Sequence, residues 1–268
     1  MKRNASPLVA AYQAFRLSRK LGRQKLATTP LGFKLIGNRK MQRGDFEPEE
    51  TQLLLKLFEK ADVFVDVGAN VGYFTCLARS RKLHTIAVEP QANNLDFLYA
   101  SLRANEWQDV EVFPVGLAER AGTAELYGGG TAASLIPGWH TKEDAWQHVV
   151  QTIPLSTLDI LLGDRFAGRR MVIKIDVEGF EAGVIAGATR TLKQSPAPVW
   201  LMEICLTEHH PSGINPQFKQ VFEAFWKHGY TALTVGSETR TVKPEDVDRW
   251  IANRKRDFGT INFLFEKK

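Results

Sequence analysis

The apolar run Val63 to Val67 ends in the segment D-V-G-A-N-V-G, Asp66 to Gly72. Gly68 and Gly72 remove side chains where a backbone must pass close to a ligand, and Asn70 tolerates the left-handed conformation that such a turn uses. Asp66 sets a carboxylate at the end of the run. Glu89 closes the next apolar run about twenty residues after Gly68, the interval at which open α/β sheets place an acid on ribose hydroxyls. A nicotinamide site is the competing reading, but its fingerprint is G-x-G-x-x-G around a pyrophosphate and this segment reads G-x-x-x-G. Asp66 would repel a pyrophosphate, whereas a ligand bearing an ammonium and a sulfonium would be attracted to it. The two acids and their spacing therefore point to a sulfonium cofactor held by Asp66, Gly68, Ala69, Asn70, Gly72, Glu89 and Pro90, with Leu117 as a further lining residue. Tyr73 either walls this site or packs as ordinary helix core.

A second centre lies about a hundred residues on. Lys174 and Asp176 are two apart on an apolar run, so on a strand they project to the same side. Asp176 falls at the carboxyl end of that run, where a substrate arrives, and Gly179 gives room for the turn that follows. Glu178 and Glu181 come next, Glu203 ends the following apolar run, and His209 and His210 lie just beyond it. A free alcohol is a poor nucleophile, and a carboxylate or imidazole that accepts its proton assists attack on a methyl carbon. Asp176, Glu203 and His209 or His210 are the candidate bases, Lys174 is a further catalytic candidate, and Asp176 is also expected to hold the cofactor. A divalent metal on Asp176, Glu203 and a histidine is the alternative way of lowering the acceptor's pKa, although no H-E-x-x-H type of ligand motif is present. The plain structural readings are a buried ion pair for Lys174 and a charged first helical turn for Glu178 and Glu181.

These residues need a scaffold that delivers them to one edge. Apolar runs at Val63 to Val67, Thr85 to Val88, Val110 to Val115, Met171 to Ile175, Val199 to Ile204, Thr231 to Val235 and Ile261 to Phe265 predict seven strands. They are short and too apolar for surface helices, as expected of strands buried on both faces. Helical stretches are predicted at Glu47 to Lys60, opened by Asp45 or Pro48, and at Tyr73 to Arg81, Asn93 to Ala104, Glu181 to Lys193 and Phe218 to His228. This alternation is that of an α/β fold. Gly122 to Ile153 breaks the rhythm with three consecutive glycines and reads as a hairpin carrying a long loop, and Ser237 to Asp257 reads as a charged excursion that would form a second loop over the site.

With V-F-V-D-V-G-A-N-V-G-Y-F-T at Val63 to Thr75, V-E-P at Val88 to Pro90 and I-K-I-D-V-E-G-F-E at Ile173 to Glu181, the chain resembles the FkbM family of methyltransferases. G-D-F-E-P-E-E before the first strand, L-S-T-L-D at Leu155 to Asp159 and L-M-E-I at Leu201 to Ile204 extend the resemblance over roughly residues 40 to 235. It implies a class I methyltransferase Rossmann-like fold, with a seven-stranded, mostly parallel sheet, a reversed last strand and helices on both faces. It also implies S-adenosylmethionine as cofactor and O-methylation of hydroxyls on sugars, glycolipids or secondary metabolites. It does not name the acceptor.

The chain of 268 residues carries a formal net charge of +5, but its first 44 residues hold eleven Lys and Arg and no acid. The remainder is net acidic, which disfavours nucleic acid as a partner of the body. The expected division is therefore a basic arm over 1–45 and a methyltransferase domain over 46–268. Within the arm, Leu8, Ala11, Tyr12 and Phe15 recur at helical spacing opposite Arg16, Arg19, Lys20 and Arg23, giving a basic amphipathic helix that docks on the body or touches an anionic membrane. RNA methylation with the arm on phosphates, and a non-catalytic scaffold on membranes, are the rival functions. Cys76 and Cys205 lie in apolar stretches without disulfide or zinc spacing, and no run reaches the length of a bilayer span, so a cytoplasmic setting is expected.

Overall fold

The computed structural model of the chain describes residues 25–139 and 149–267. The expected basic helix over residues 8–23 lies outside them, as does part of the loop in the Gly122 to Ile153 segment. In chain order the strands are β1 (Leu26–Thr28), β2 (Lys34–Ile36), β3 (Val63–Val67), β4 (His84–Val88), β5 (Glu111–Phe113), β6 (Gly116–Leu117), β7 (Gly122–Tyr127), β8 (Val150–Ser156), β9 (Met171–Ile175), β10 (Val199–Glu203), β11 (Thr231–Thr234), β12 (Thr241–Val242) and β13 (Asn262–Glu266). The helices are α1 (Arg39–Arg43), α2 (Pro48–Phe58), α3 (Tyr73–Ser80), α4 (Ala92–Ala104), α5 (Leu158–Leu162), α6 (Glu181–Ala186), α7 (Phe218–Lys227) and α8 (Pro244–Asn253).

The main sheet runs β12-β11-β13-β10-β9-β3-β4-β5. β10, β9, β3, β4 and β5 pair in parallel, and β13 is antiparallel to both β10 and β11. All seven expected strands are present with β13 reversed, and the two-residue β12 adds an eighth at the edge. Each strand sends alternate side chains to two cores. Val63, Val65, Val67, Ile173 and Ile175 face α5, α6, α7 and α8, while Phe64, Ala87, Val172 and Leu201 face α2, α3 and α4. Phe33 and Leu35, around β2, are fully buried in this second core, which seats the β1-β2 hairpin on the body.

Two segments differ from the sequence expectation, and a third meets it with an added strand. The helix expected over Glu181 to Lys193 stops at Ala186 and resumes as a single 3-10 turn at Thr191–Lys193. A Cβ at Gly187 would lie 2.1 Å from the carbonyl of Ala118, so the chain turns there against β6. The excursion from Ser237 to Asp257 is structured, because β12 and α8 form within it and Val247 and Trp250 bury into the first core. Gly122 to Ile153 does form a hairpin, β7 pairing antiparallel with β8, and β6 joins it in a separate three-stranded sheet. Among the described residues no helix is long and apolar enough to cross a membrane.

Candidate active site

The turn after β3 is shaped by its neighbours. Gly68 and Ala69 donate their amides to the carbonyl of Val88, at 2.9 and 3.0 Å, while Asp176 donates its own to the carbonyl of Val67 at 3.0 Å. Gly68 has φ +83°, and a Cβ on it would sit 1.8 Å from the carbonyl oxygen of Asp176. Only glycine therefore lets the ends of β3 and β9 touch. Asn70 takes φ 52° and its amide donates to Oε2 of Glu89 at 2.8 Å. Oε1 of Glu89 accepts from the Gln91 amide at 2.8 Å and from Nδ2 of Asn94 at 3.2 Å. Glu89 is 5% exposed. Burial, only partly opposed by these donors, pushes its carboxyl up to about 7.

A cleft with about 650 Å³ of open space runs along this edge, and Gly68, Asn70, Glu89, Pro90, Leu117 and Asp176 all line it. Leu126, Leu135 and Ile153 of the hairpin form an apolar wall, and Glu178 and Phe180 close the end near Asp176. Apolar walls with a few convergent acids fit a nucleoside that carries a cationic tail. The remaining residues expected around the cofactor lie behind this surface. Asp66 is 1% exposed and accepts from the Thr75 hydroxyl at 2.6 Å. Burial raises its pKa and the neighbouring Lys174 opposes the rise. Ala69 and Gly72 are also absent from the lining, and at Gly72 a Cβ would meet Leu98 at 2.3 Å, so its requirement is the packing of α3 on α4. Tyr73 belongs to the core: it is 2% exposed, with its ring at 5.2 Å from Phe46 and 5.9 Å from Phe33.

The second centre gathers around one buried cation. Lys174 pairs in register with Asp66 on β3, and its Nζ donates to Oδ2 of Asp176 at 2.8 Å and lies 4.8 Å from the Phe74 ring centroid. Its side chain is 6% exposed. Desolvation works against its charge, but Asp176, Glu47 and Asp66 more than compensate and raise its pKa. Glu203 is pushed up to about 9, first by burial and then by Asp176 and Glu178. Glu47 is likewise pushed up to about 7 by burial, with Lys174 opposing. Glu181 reaches about 8 by burial; its Oε1 accepts from the Gly179 amide at 2.9 Å, and Oε2 is buried without a partner among the described residues.

His209 is not brought to the cleft. It has φ 58° in the loop after β10, and its ring centroid is 6.4 Å from that of Trp139, while His210 meets the same ring edge-on at 5.8 Å. Among the described residues no group of three or more His, Cys, Asp and Glu side chains is placed to hold a metal ion.

Several contributors carry little signal in the sequence. Glu47 sits in G-D-F-E-P-E-E as an apparent helix-start acid, yet it takes φ 41° and its charge is felt at Lys174 and Asp176. Asn94 and Gln91, on and before α4, bond both to Glu89 or its flank and to the hairpin, through the Gly130 carbonyl at 3.2 Å and the Gly130 amide at 2.9 Å. Their only clue is proximity to Glu89. Trp139 and Ser134 tie the hairpin's other end to Glu178, whose carboxylate accepts from Trp139 Nε1 at 2.7 Å and whose carbonyl accepts from the Ser134 hydroxyl at 2.6 Å.

The chain is similar to several known proteins. The hexuronic acid methyltransferase AglP of Haloferax volcanii is 28% identical over 173 residues, which take in 64% of this chain and 65% of that protein. The chain thus spans about two thirds of the length of the curated relative it matches. Solved structures resembling it include a putative O-methyltransferase from Klebsiella pneumoniae, at 12% identity and a TM-score of 0.45 over 97% of this chain and 89% of that one. A precorrin-6y C5,15-methyltransferase from Geobacter metallireducens gives 12% identity and a TM-score of 0.44 over 87% and 94%. The methyltransferase FkbM domain matches residues 66–232, from Asp66 into β11, and the chain belongs to the FkbM methyltransferase family.

Proposed function

We propose that this chain transfers a methyl group from S-adenosylmethionine to a hydroxyl of a sugar or of a sugar-containing lipid or metabolite. The observation that carries the reading is the position of Asp176, which lines the same cleft as Glu89 and is bonded to the buried ammonium of Lys174. S-adenosylmethionine, when bound, supplies an electrophilic methyl on a positively charged sulfur. Glu89, held by Asn70, Gln91 and Asn94, presents its carboxylate to ribose hydroxyls. Leu117, Leu126, Leu135 and Ile153 supply the apolar slot for the adenine, and Asp176 and Glu178 balance the cationic end. Asp176 also orients the acceptor hydroxyl and takes its proton at a carboxylate oxygen as the new bond forms. Holding the two partners in line contributes much of the acceleration of such a displacement.

The relative's name specifies a hexuronic acid, which offers both hydroxyls and a carboxylate. A carboxylate nucleophile needs no base and prefers cationic surroundings, but here Glu47, Asp176 and Glu203 surround the one lysine, and Asp176 already engages it. That favours a hydroxyl. Isothermal titration with S-adenosylmethionine tests the donor half: Glu89→Ala should lose more than about tenfold in affinity, the scale of hydrogen bonds to a charged group. Radiolabelled methyl transfer to sugar acceptors tests the rest, and it should vanish in Asp176→Ala. Unchanged donor affinity in the first variant, or retained turnover in the second, overturns the reading.

A further inference from the structure

A second cleft opens at the same edge of the sheet, on the far side of Asp176 from the first. The strand registers set the two in line. Val67 pairs with Val88 and Ile175, Ile175 with Met202, and Glu203 with Asn262, so Glu89, Gly68, Asp176, Glu203 and Asn262 occupy successive strand ends. Val235 donates its amide to the Asn262 carbonyl at 3.0 Å and carries the line on to β11. The first cleft is built on the ends of β4, β3 and β9, the second on those of β13 and β11, and Asp176 and Glu203 stand between them.

The chemistry of the second cleft is that of a polyol site. Ser237 and Thr260 bring hydroxyls, Asn262 an amide, Glu50 a carboxylate and Phe258 an aromatic face, while the Thr234 hydroxyl is spent on the turn at Glu238 and Arg240. Nδ2 of Asn262 donates to Glu50, which fixes both, and Trp250 meets Phe258 edge-on at 5.0 Å, which fixes the ring. A sugar presents hydroxyls that each donate and accept, and a C–H face that packs on an aromatic ring. Its charge is also selective. Glu49, Glu50, Glu238 and Asp257 line the cleft, and the cation among the described lining residues, Arg240, is bonded to Glu238. Glu238 is balanced by Arg240 and Asp257 by Arg249, so a carboxylate entering here would meet the remaining negative charge of Glu49 and Glu50.

We propose that this second cleft is the acceptor subsite and that it takes a sugar carrying no carboxylate. The inference rests on the methyltransferase reading above and deepens it, and it distinguishes this chain from a relative named for a hexuronic acid.

The test is saturation-transfer NMR on the full chain loaded with S-adenosylhomocysteine. The probes are methyl glycosides of glucose, galactose and mannose, set against methyl glucuronide and methyl galacturonide, near neutral pH. At least one neutral glycoside should receive saturation, with uronide signals at least fivefold weaker. Ser237→Trp, which fills the cleft mouth from an exposed position, and Phe258→Ala should each abolish the neutral signal while donor affinity stays within about twofold. Saturation of no neutral glycoside, uronide signals equal to or above the neutral ones, or a neutral signal indifferent to both variants overturns the inference. Donor titration on the same samples separates the two claims. Donor binding without sugar contact sinks the subsite alone, whereas absence of donor binding sinks the methyltransferase reading and the subsite with it.

Discussion

Nε1 of Trp139 donates to Oε2 of Glu178 at 2.7 Å, and this bond ties the hairpin loop to the D-V-E-G turn that carries Asp176. The indole also packs on Gly179, where a Cβ would come within 2.2 Å of a ring carbon. The loop's other end is held at Gly130 by Gln91 and Asn94, beside Glu89, so the hairpin spans the cleft between its two acids. Trp139→Phe keeps an aromatic ring and removes the bond. A hydrogen bond to a charged group is worth about 1.5–3 kcal/mol, so donor affinity measured by titration should fall about tenfold or more. The melting temperature should fall as well, because the same bond holds the loop in the ligand-free chain. Affinity within twofold of the parent would mean that the loop's position does not depend on this bond.

Burial of carboxyls sets the pH dependence of stability. Glu89 is raised to about 7, Glu181 to about 8 and Glu203 to about 9, in each case first by desolvation. Between the ordinary Glu value and these values the native state binds more protons than the unfolded chain, so stability falls as pH rises. At the acid end the sign reverses. Asp62 is held at about 2 by hydrogen bonds from Arg170, and Glu208 also at about 2 because Arg256 outweighs its burial. Their contribution is present above the unfolded pKa and is lost as pH falls towards 2. The ligand-free chain should therefore melt highest near the ordinary Glu value and lose stability from there up to about pH 9. Glu181→Gln replaces the protonated acid by a neutral isostere and should flatten that slope, raising the melting temperature near pH 9 by roughly 2–4 °C, the shift that about 1 kcal/mol produces in chains of 150–250 residues. An unchanged slope in calorimetric scans would show that Glu181 does not titrate in this window.

Gly68 is required by the protein itself. Its αL conformation, and the 1.8 Å that would separate an added Cβ from the Asp176 carbonyl oxygen, mean that Gly68→Ala must push the ends of β3 and β9 apart. Urea unfolding should show a loss of about 3 kcal/mol or more, in the range of substitutions that combine backbone strain with overpacking. A loss below about 1 kcal/mol would mean that the two turns part easily.

The parts of the fold that can be read from sequence are those where local pattern and tertiary role coincide. Val63 to Val67 and Met171 to Ile175 are buried on both faces, so a short run rich in Val and Ile, broken in each case by a single charged residue, Asp66 or Lys174, is itself the record of their environment. The helix α8 leaves little trace in the sequence because Val247 and Trp250 are its buried residues among charged neighbours, a stripe too thin to stand out from a polar loop. Within the site, Glu89 and Asp176 are marked by their places at strand ends. Asp66 shares that mark, yet its carboxylate turns to Thr75 and Lys174 behind the cleft, because which face a strand-end side chain takes is decided by its neighbours. Trp139 and Asn94 act across long separations in the chain, and no local spacing announces them.

The two acids at the centre of the site should behave differently at neutral pH. Glu203 is raised to about 9, so it carries a proton there and is a poor acceptor for another. Asp176 accepts from the lysine ammonium at 2.8 Å and lines the first cleft, as Glu203 does not. In the proposed transfer Asp176 is the base of the pair, and Glu203 a neutral neighbour that donates or accepts a hydrogen bond. Glu203→Gln mimics the protonated acid and should keep kcat within about threefold near pH 7, whereas Asp176→Asn should lower it by about 10²–10⁴, the usual contribution of a general base. Donor affinity in Glu203→Gln should match the parent, because Glu203 does not line the cleft proposed to hold the donor. Steady-state kinetics of methyl transfer reads both variants, and a larger loss in Glu203→Gln than in Asp176→Asn would reverse the assignment.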